Sequence, residues 1–144
     1  MDERIALLLA DATVRNGLCW AWRDSEPGVF GAHEEGGFIC AGADGGYVVD
    51  RWQTGDTDRI RIPPHPGGKR NNEWIVATFH THPNTSNRFE QTPNAVDCAL
   101  IANDIHLRTV YYQGEFVISA SLLYFVRMSG RYEVLGATAT ILEL

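Results

Sequence analysis

The sequence predicts a single-domain α/β protein in which one mixed β-sheet is flanked by helices. Three observations point there. The chain has 144 residues, 44% hydrophobic and 21% charged, enough for one domain with a real core and ordinary for a globular protein. Two stretches carry helix signals, and β-branched or aromatic runs lie between and after them, punctuated by Gly, Asn and Pro. No repeat, low-complexity tract or linker divides the chain, so the domain is expected to span residues 1–144.

Residues 2–16 read as a helix, with Ile5, Leu8, Leu9, Ala12 and Val14 mostly on one face and Asn16-Gly17 as a stop. Leu18 to Arg23 reads as a short strand or irregular cover, ended by Asp24-Ser25-Glu26-Pro27-Gly28. Gly36 to Ala41 and Tyr47 to Trp52 form a hairpin around Gly42-Ala43-Asp44-Gly45-Gly46. Arg59 to Ile62 is a strand candidate, followed by a Pro-, Gly- and Asn-rich loop from Pro63 to Asn72. Trp74 to Thr81 is a buried central strand. After a polar loop over 83–91, Thr92 is expected as N-cap and Pro93 as first residue of a helix running to about Asn103. Leu107 to Tyr112 and Phe116 to Ser119 read as strands, and Leu122 to Met128 with Tyr132 to Leu135 as a last hairpin.

The bulk properties narrow the partners. A net charge of −6 argues against nucleic acid, whose phosphates want a basic footprint, and against an anionic membrane surface. The eleven arginines and one lysine form no basic run. Cys19, Cys40 and Cys98 are dispersed and odd in number, which reads as reduced thiols filling core space in a cytoplasmic protein. No signal-peptide layout or membrane-length apolar run is present, although a dedicated secretion machine would need neither.

The chemistry gathers on Phe79-His80-Thr81-His82-Pro83. Side chains alternate along a strand, so an i, i+2 histidine pair points both imidazoles to one side, within reach of one metal ion. Asp97, one turn into the next helix, supplies a third ligand and leaves a coordination position open, the mark of a catalytic rather than a structural site. Amide hydrolysis also needs a base that is not a ligand. Glu34 is the candidate because it directly precedes a strand, with Glu35 as its rival should the register differ by one.

These motifs, in this order, resemble the JAMM (MPN/JAB) zinc metalloprotease superfamily. Glu34-Glu35-Gly36-Gly37 matches its Glu-x-x-Gly entry to a strand, and His80-Thr81-His82-Pro83 matches its His-x-His-Pro. Asn94-Ala95-Val96-Asp97 matches its Ser-x-x-Asp with one substitution, and the resemblance covers about residues 30–112. It implies a zinc ion held by His80, His82 and Asp97, Glu34 as the base, and a fold related to the cytidine deaminases. It further implies peptidase or isopeptidase activity on a protein or peptide, a ubiquitin-like protein among the candidates. The Glu-x-Gly-Gly start and Asp44-Gly45-Gly46-Tyr47 look most like bacterial branches, found in ubiquitin-like deconjugation systems and polymorphic toxins.

Asn94 stands where the family has a serine implied to help hold the oxyanion. Its amide can donate to an oxyanion as well, and Thr92 offers a hydroxyl two residues earlier. That substitution keeps open a second class of reading, a weak or inactive module that scaffolds a partner or belongs to a toxin. His33, His65 and His106 are expected in loops or on the surface without a catalytic role, and Glu90 and Asp104 as solvated charges. Trp20, Trp22, Trp52 and Trp74 are expected to pack rather than to bind. Cupin, deaminase and zinc-finger ligand spacings are all missing.

Overall fold

The computed structural model describes residues 1–86 and 91–144. Asp2 caps helix α1 (Glu3–Ala10) by accepting from the Arg4 N–H. Asp11 ends that helix and caps the next, α2 (Ala12–Asp24), its Oδ1 accepting from the Val14 N–H at 3.1 Å. The single helix expected over 2–16 is therefore two, because an extended aspartate serves as C-cap and N-cap at once.

Gly17 does not stop a helix. It lies inside α2 at its crossing with the sheet, where a Cβ would stand 2.9 Å from Val49 Cγ2. The short strand or irregular cover expected over 18–23 is the second half of this helix. Val14, Leu18, Ala21 and Trp22 are buried at i, i+4, i+7 and i+8, a helical stripe.

Among the described residues, seven strands form one open mixed sheet: β1 (Gly36–Ala41), β2 (Tyr47–Arg51), β3 (Lys69–Arg70), β4 (Glu73–Thr81), β5 (Glu115–Ile118), β6 (Leu122–Val126) and β7 (Tyr132–Ala137). The order is β2-β1-β4-β5-β6-β7, with β3 on β4. Only β4 and β5 run parallel, and their connection carries helix α3 (Ala95–Asn103). A fourth helix, α4 (Thr138–Ile141), follows β7. The expected mixed sheet with flanking helices is thus present, as are both hairpins and the central strand.

Both faces of the sheet are covered. On one, α1 and α2 pack Ile5, Leu8, Leu18 and Trp22 against Ile39, Ala77, Phe79 and Phe116. On the other, Ile101 of α3 joins Phe38, Cys40, Ile75 and Val117. Ile75 and Ala77 face opposite ways although they are two residues apart, because a bulge intervenes. Ile39 pairs with Ala77 and Cys40 with Ile75, leaving Val76 as an extra residue on β4. That slip turns Thr78 and His80 toward α3; without it they would enter the α1–α2 core.

Two expected strands are absent. Residues 59–62 follow a turn closed by the Asp56 N–H on the Arg59 carbonyl, and Ile60 and Ile62 pack against the α3-side core outside any ladder. Over 107–112, Asp104 instead caps a 3-10 turn spanning Ile105–Leu107, and the chain continues irregularly to Tyr112. Among the described residues, no helix is long and apolar enough to cross a membrane.

Candidate metal centre

His80 lies near the C-terminal end of β4, and His82 immediately follows the strand. His82 is still held in the sheet, because its N–H donates to the Ile118 carbonyl of β5 at 2.8 Å. The two rings therefore share the α3-facing side, their Nε2 atoms 3.0 Å apart. Asp97 enters from above. Asn94, not Thr92, is the N-cap of α3, and a capping box forms: the Asp97 N–H donates to Asn94 Oδ1 at 2.9 Å, and the Asn94 N–H to Asp97 Oδ2 at 3.0 Å. The cap starts the helix two residues later than expected and leaves Pro93 ahead of it. It also fixes Asp97 with Oδ1 3.5 Å from His80 Nε2 and Oδ2 3.3 Å from His82 Nε2.

The group His80, His82 and Asp97 could hold a metal ion, with one ligand atom from each lying within 4.8 Å of the others. The spacing fits one: ligands bound tetrahedrally at 2.0–2.2 Å stand about 3.3–3.6 Å apart. Proton placement fits as well. His80 Nδ1 faces Glu115 Oε1 at 2.5 Å, and His82 Nδ1 faces the Gln91 carbonyl at 3.2 Å. Each Nδ1 carries its proton toward an acceptor, so both Nε2 lone pairs converge on one point beside a carboxylate. Such a point calls for positive charge.

Without an ion, a proton supplies that charge. Burial works against a charged His80, yet Glu115 and Asp97 outweigh it and push its pKa well above the ordinary value. Burial likewise opposes ionisation of Asp97, but bonds from His80 and His82 hold its carboxyl far below the usual range. Among the described residues, no lysine or arginine pairs with Asp97 or Glu115.

The register separates Glu34 from Glu35. Gly36 pairs with His80, so continuing the ladder sets residue 34 across from 82 and residue 35 across from 81. Alternation then gives Glu34 the metal-cluster side and Glu35 the reverse. Glu35 is spent there, on Arg51 Nη2 at 2.6 Å and His33 Nε2 at 3.0 Å. Glu34 is buried and walls a cleft of about 450 Å³ together with His80, Asn94 and Asp97. Burial raises its pKa to about 7, against the opposing pull of His80 and His82. Trp52, Ile60, Ile62, Leu100 and Ile101 add an apolar wall. Asn94 has spent its side-chain oxygen on the cap, which leaves its amide nitrogen as the group it can offer there.

Several residues stand elsewhere than expected. His65 lies in a loop, as expected, but Asp104 is not a solvated charge: the two form a half-buried pair, Nε2 to Oδ2 at 2.6 Å. Trp22 and Trp52 are buried, whereas Trp20 is exposed outside the core. All three cysteines are free thiols, Cys40 buried and the others half-buried, and none joins the cluster. Thr92 is exposed, and Glu90 lies outside the described residues. The residue that sequence reasoning missed is Glu115. It carries no local motif, and only the parallel pairing of β4 with β5 brings it to His80.

The fold and site define a class: an open mixed α/β sheet carrying a candidate two-histidine, one-aspartate metal centre at a strand end. No family model, curated protein or solved structure matches the chain.

Proposed function

We propose that the protein is a zinc-dependent peptidase or isopeptidase of the JAMM type, acting on a protein or peptide substrate. The observation that carries this reading is that Glu34 shares one cleft with His80 and Asp97 while Glu35 is turned away. His80, His82 and Asp97 would hold the zinc ion. When bound, the ion would polarise a carbonyl and acidify water, the Lewis-acid chemistry that amide hydrolysis needs. Glu34 is placed for both proton transfers: a buried carboxyl that shares the cleft with His80 and Asp97 can take a proton from water and return it to a leaving amine. The amide of Asn94 is the donor available to a developing oxyanion. An extended substrate would lie along the apolar wall of the cleft, beside Ile60 and Ile62.

Purified protein, assayed for zinc content and for cleavage of ubiquitin-like fusions, tests the reading. Turnover should vanish with chelator and with Glu34→Gln. Cleavage that survives both would sink the mechanism. The scaffold reading draws on Asn94, whose side-chain oxygen is committed to the helix cap. It expects zinc binding and a stoichiometric protein partner, with no turnover of any substrate.

A further inference from the structure

Beneath His80 lies a buried run of polar side chains that the proposed reaction does not use. Thr78 and His80 are two apart on β4 and face the same side, and Thr78 pairs with Glu115 of the parallel neighbour β5. The Glu115 carboxylate therefore sits between them. Its Oε1 faces His80 Nδ1 at 2.5 Å, and its Oε2 accepts from the Thr78 hydroxyl at 2.7 Å. The Tyr112 hydroxyl lies 2.6 Å from Thr78 Oγ1. Thr78 has one proton and spends it on the carboxylate, so Tyr112 must donate to Thr78. Every bond in the run points the same way, from Tyr112 through Thr78 to Glu115, with His80 donating from the far side.

We propose that Glu115, Thr78 and Tyr112 form a positioning relay that sets the affinity of the His80–His82–Asp97 site for a divalent metal ion. The inference rests on the reading of that cluster as a metal site. Burial makes a purely structural role a poor account. Glu115 is 3% exposed and Thr78 fully buried, and no lysine or arginine among the described residues pairs with the carboxylate. A well-packed apolar group would hold this part of the sheet at less cost in desolvation. What the carboxylate does is specific to His80. It keeps the proton on Nδ1, turns the Nε2 lone pair toward Asp97 and His82, and makes the ring a stronger donor to a cation. Thr78 holds the carboxylate at the angle this needs, and Tyr112 holds Thr78. The relay holds His80 at Nδ1 alone, which leaves Nε2 for the ion.

Chelator competition for zinc on the full chain, at one fixed pH, tests this across wild type, Glu115→Gln, Thr78→Val and Tyr112→Phe. Urea unfolding of the metal-free forms runs alongside. Glutamine keeps the shape of Glu115 but offers one acceptor where two donors converge. Its zinc affinity should fall about 10–100-fold, the usual cost of losing an outer partner of a ligating histidine. Thr78→Val should lose less, and Tyr112→Phe least. If Glu115→Gln does not fold, the two nearly isosteric variants carry the test. Nitrogen NMR of zinc-loaded wild type should show His80 as the Nδ1–H form. Variants that lose metal-free stability yet bind zinc as wild type does would overturn the relay alone. Wild type that takes up no zinc would overturn the metal reading, and the relay with it.

Discussion

Adjacent glutamates with opposite fates show how much of the site is decided by single residues. Glu34 and Glu35 cannot be told apart by composition, and only their register against His80 assigns one to the cleft and the other to Arg51. The histidine pair was legible because two-residue spacing has one geometric meaning on a strand. Asp97 was legible because a helix start has its own signals, although the cap fell on Asn94 rather than Thr92. Glu115 was not legible, since a lone glutamate opening a strand looks like many others. Glu34 yields a prediction with a definite sign. Its folded pKa of about 7 exceeds the ordinary value of 4.5, so the metal-free native state holds the proton more tightly than the unfolded chain does. Stability from this group is therefore present at low pH and lost as pH rises between those values. At 1.36 kcal/mol per pKa unit the loss is about 3 kcal/mol. Urea unfolding with chelator present should show Glu34→Gln gaining on wild type from pH 4.5 to pH 8 by up to about that amount. A gap that does not change with pH would contradict the burial argument.

Among the elements, β1 and β4 matter most, because their close approach sets Glu34 against His80 and His82. Gly36 permits it: a Cβ there would stand 2.5 Å from Trp52 Cε3 and 2.6 Å from the Phe79 carbonyl oxygen. Gly36→Ala should cost about 1–3 kcal/mol by overpacking, and it should weaken zinc binding by forcing the strands apart. Urea unfolding and chelator competition on the same variant check both effects. Helix α3 gives a paired prediction. Asp97→Asn and Asp97→Ala should both lose zinc, but only alanine also removes the side chain that accepts from the Asn94 N–H. The alanine variant should therefore be less stable than the asparagine one by about 1 kcal/mol in metal-free form. Helix α2 was misread from the sequence because a glycine usually signals a helix end. At position 17 it signals a neighbouring strand instead, a contact that no local pattern encodes.

For the whole molecule, the sheet order and the sidedness of its helices explain why chemistry gathers at one place. The bulge at Val76 turns the end of β4 toward α3, while α1 and α2 fill the opposite face with apolar side chains. The mixed sheet, both hairpins and the central strand could be read from alternation and turns. The strands expected at 59–62 and 107–112 could not be rejected, since β-rich composition does not reveal whether a partner strand exists. An ion bound only by the native state must also stabilise the whole fold. At a free zinc concentration a hundredfold above Kd the gain is about 2.7 kcal/mol, seen as a rise in Tm. His80→Ala and His82→Ala should abolish that rise. The most direct test of the central claim is a crystal structure of the zinc-loaded protein with anomalous data at the zinc edge. The account predicts one peak, about 2.0–2.2 Å from His80 Nε2, His82 Nε2 and an Asp97 carboxylate oxygen. Zinc density elsewhere, with these three residues holding none, would contradict it.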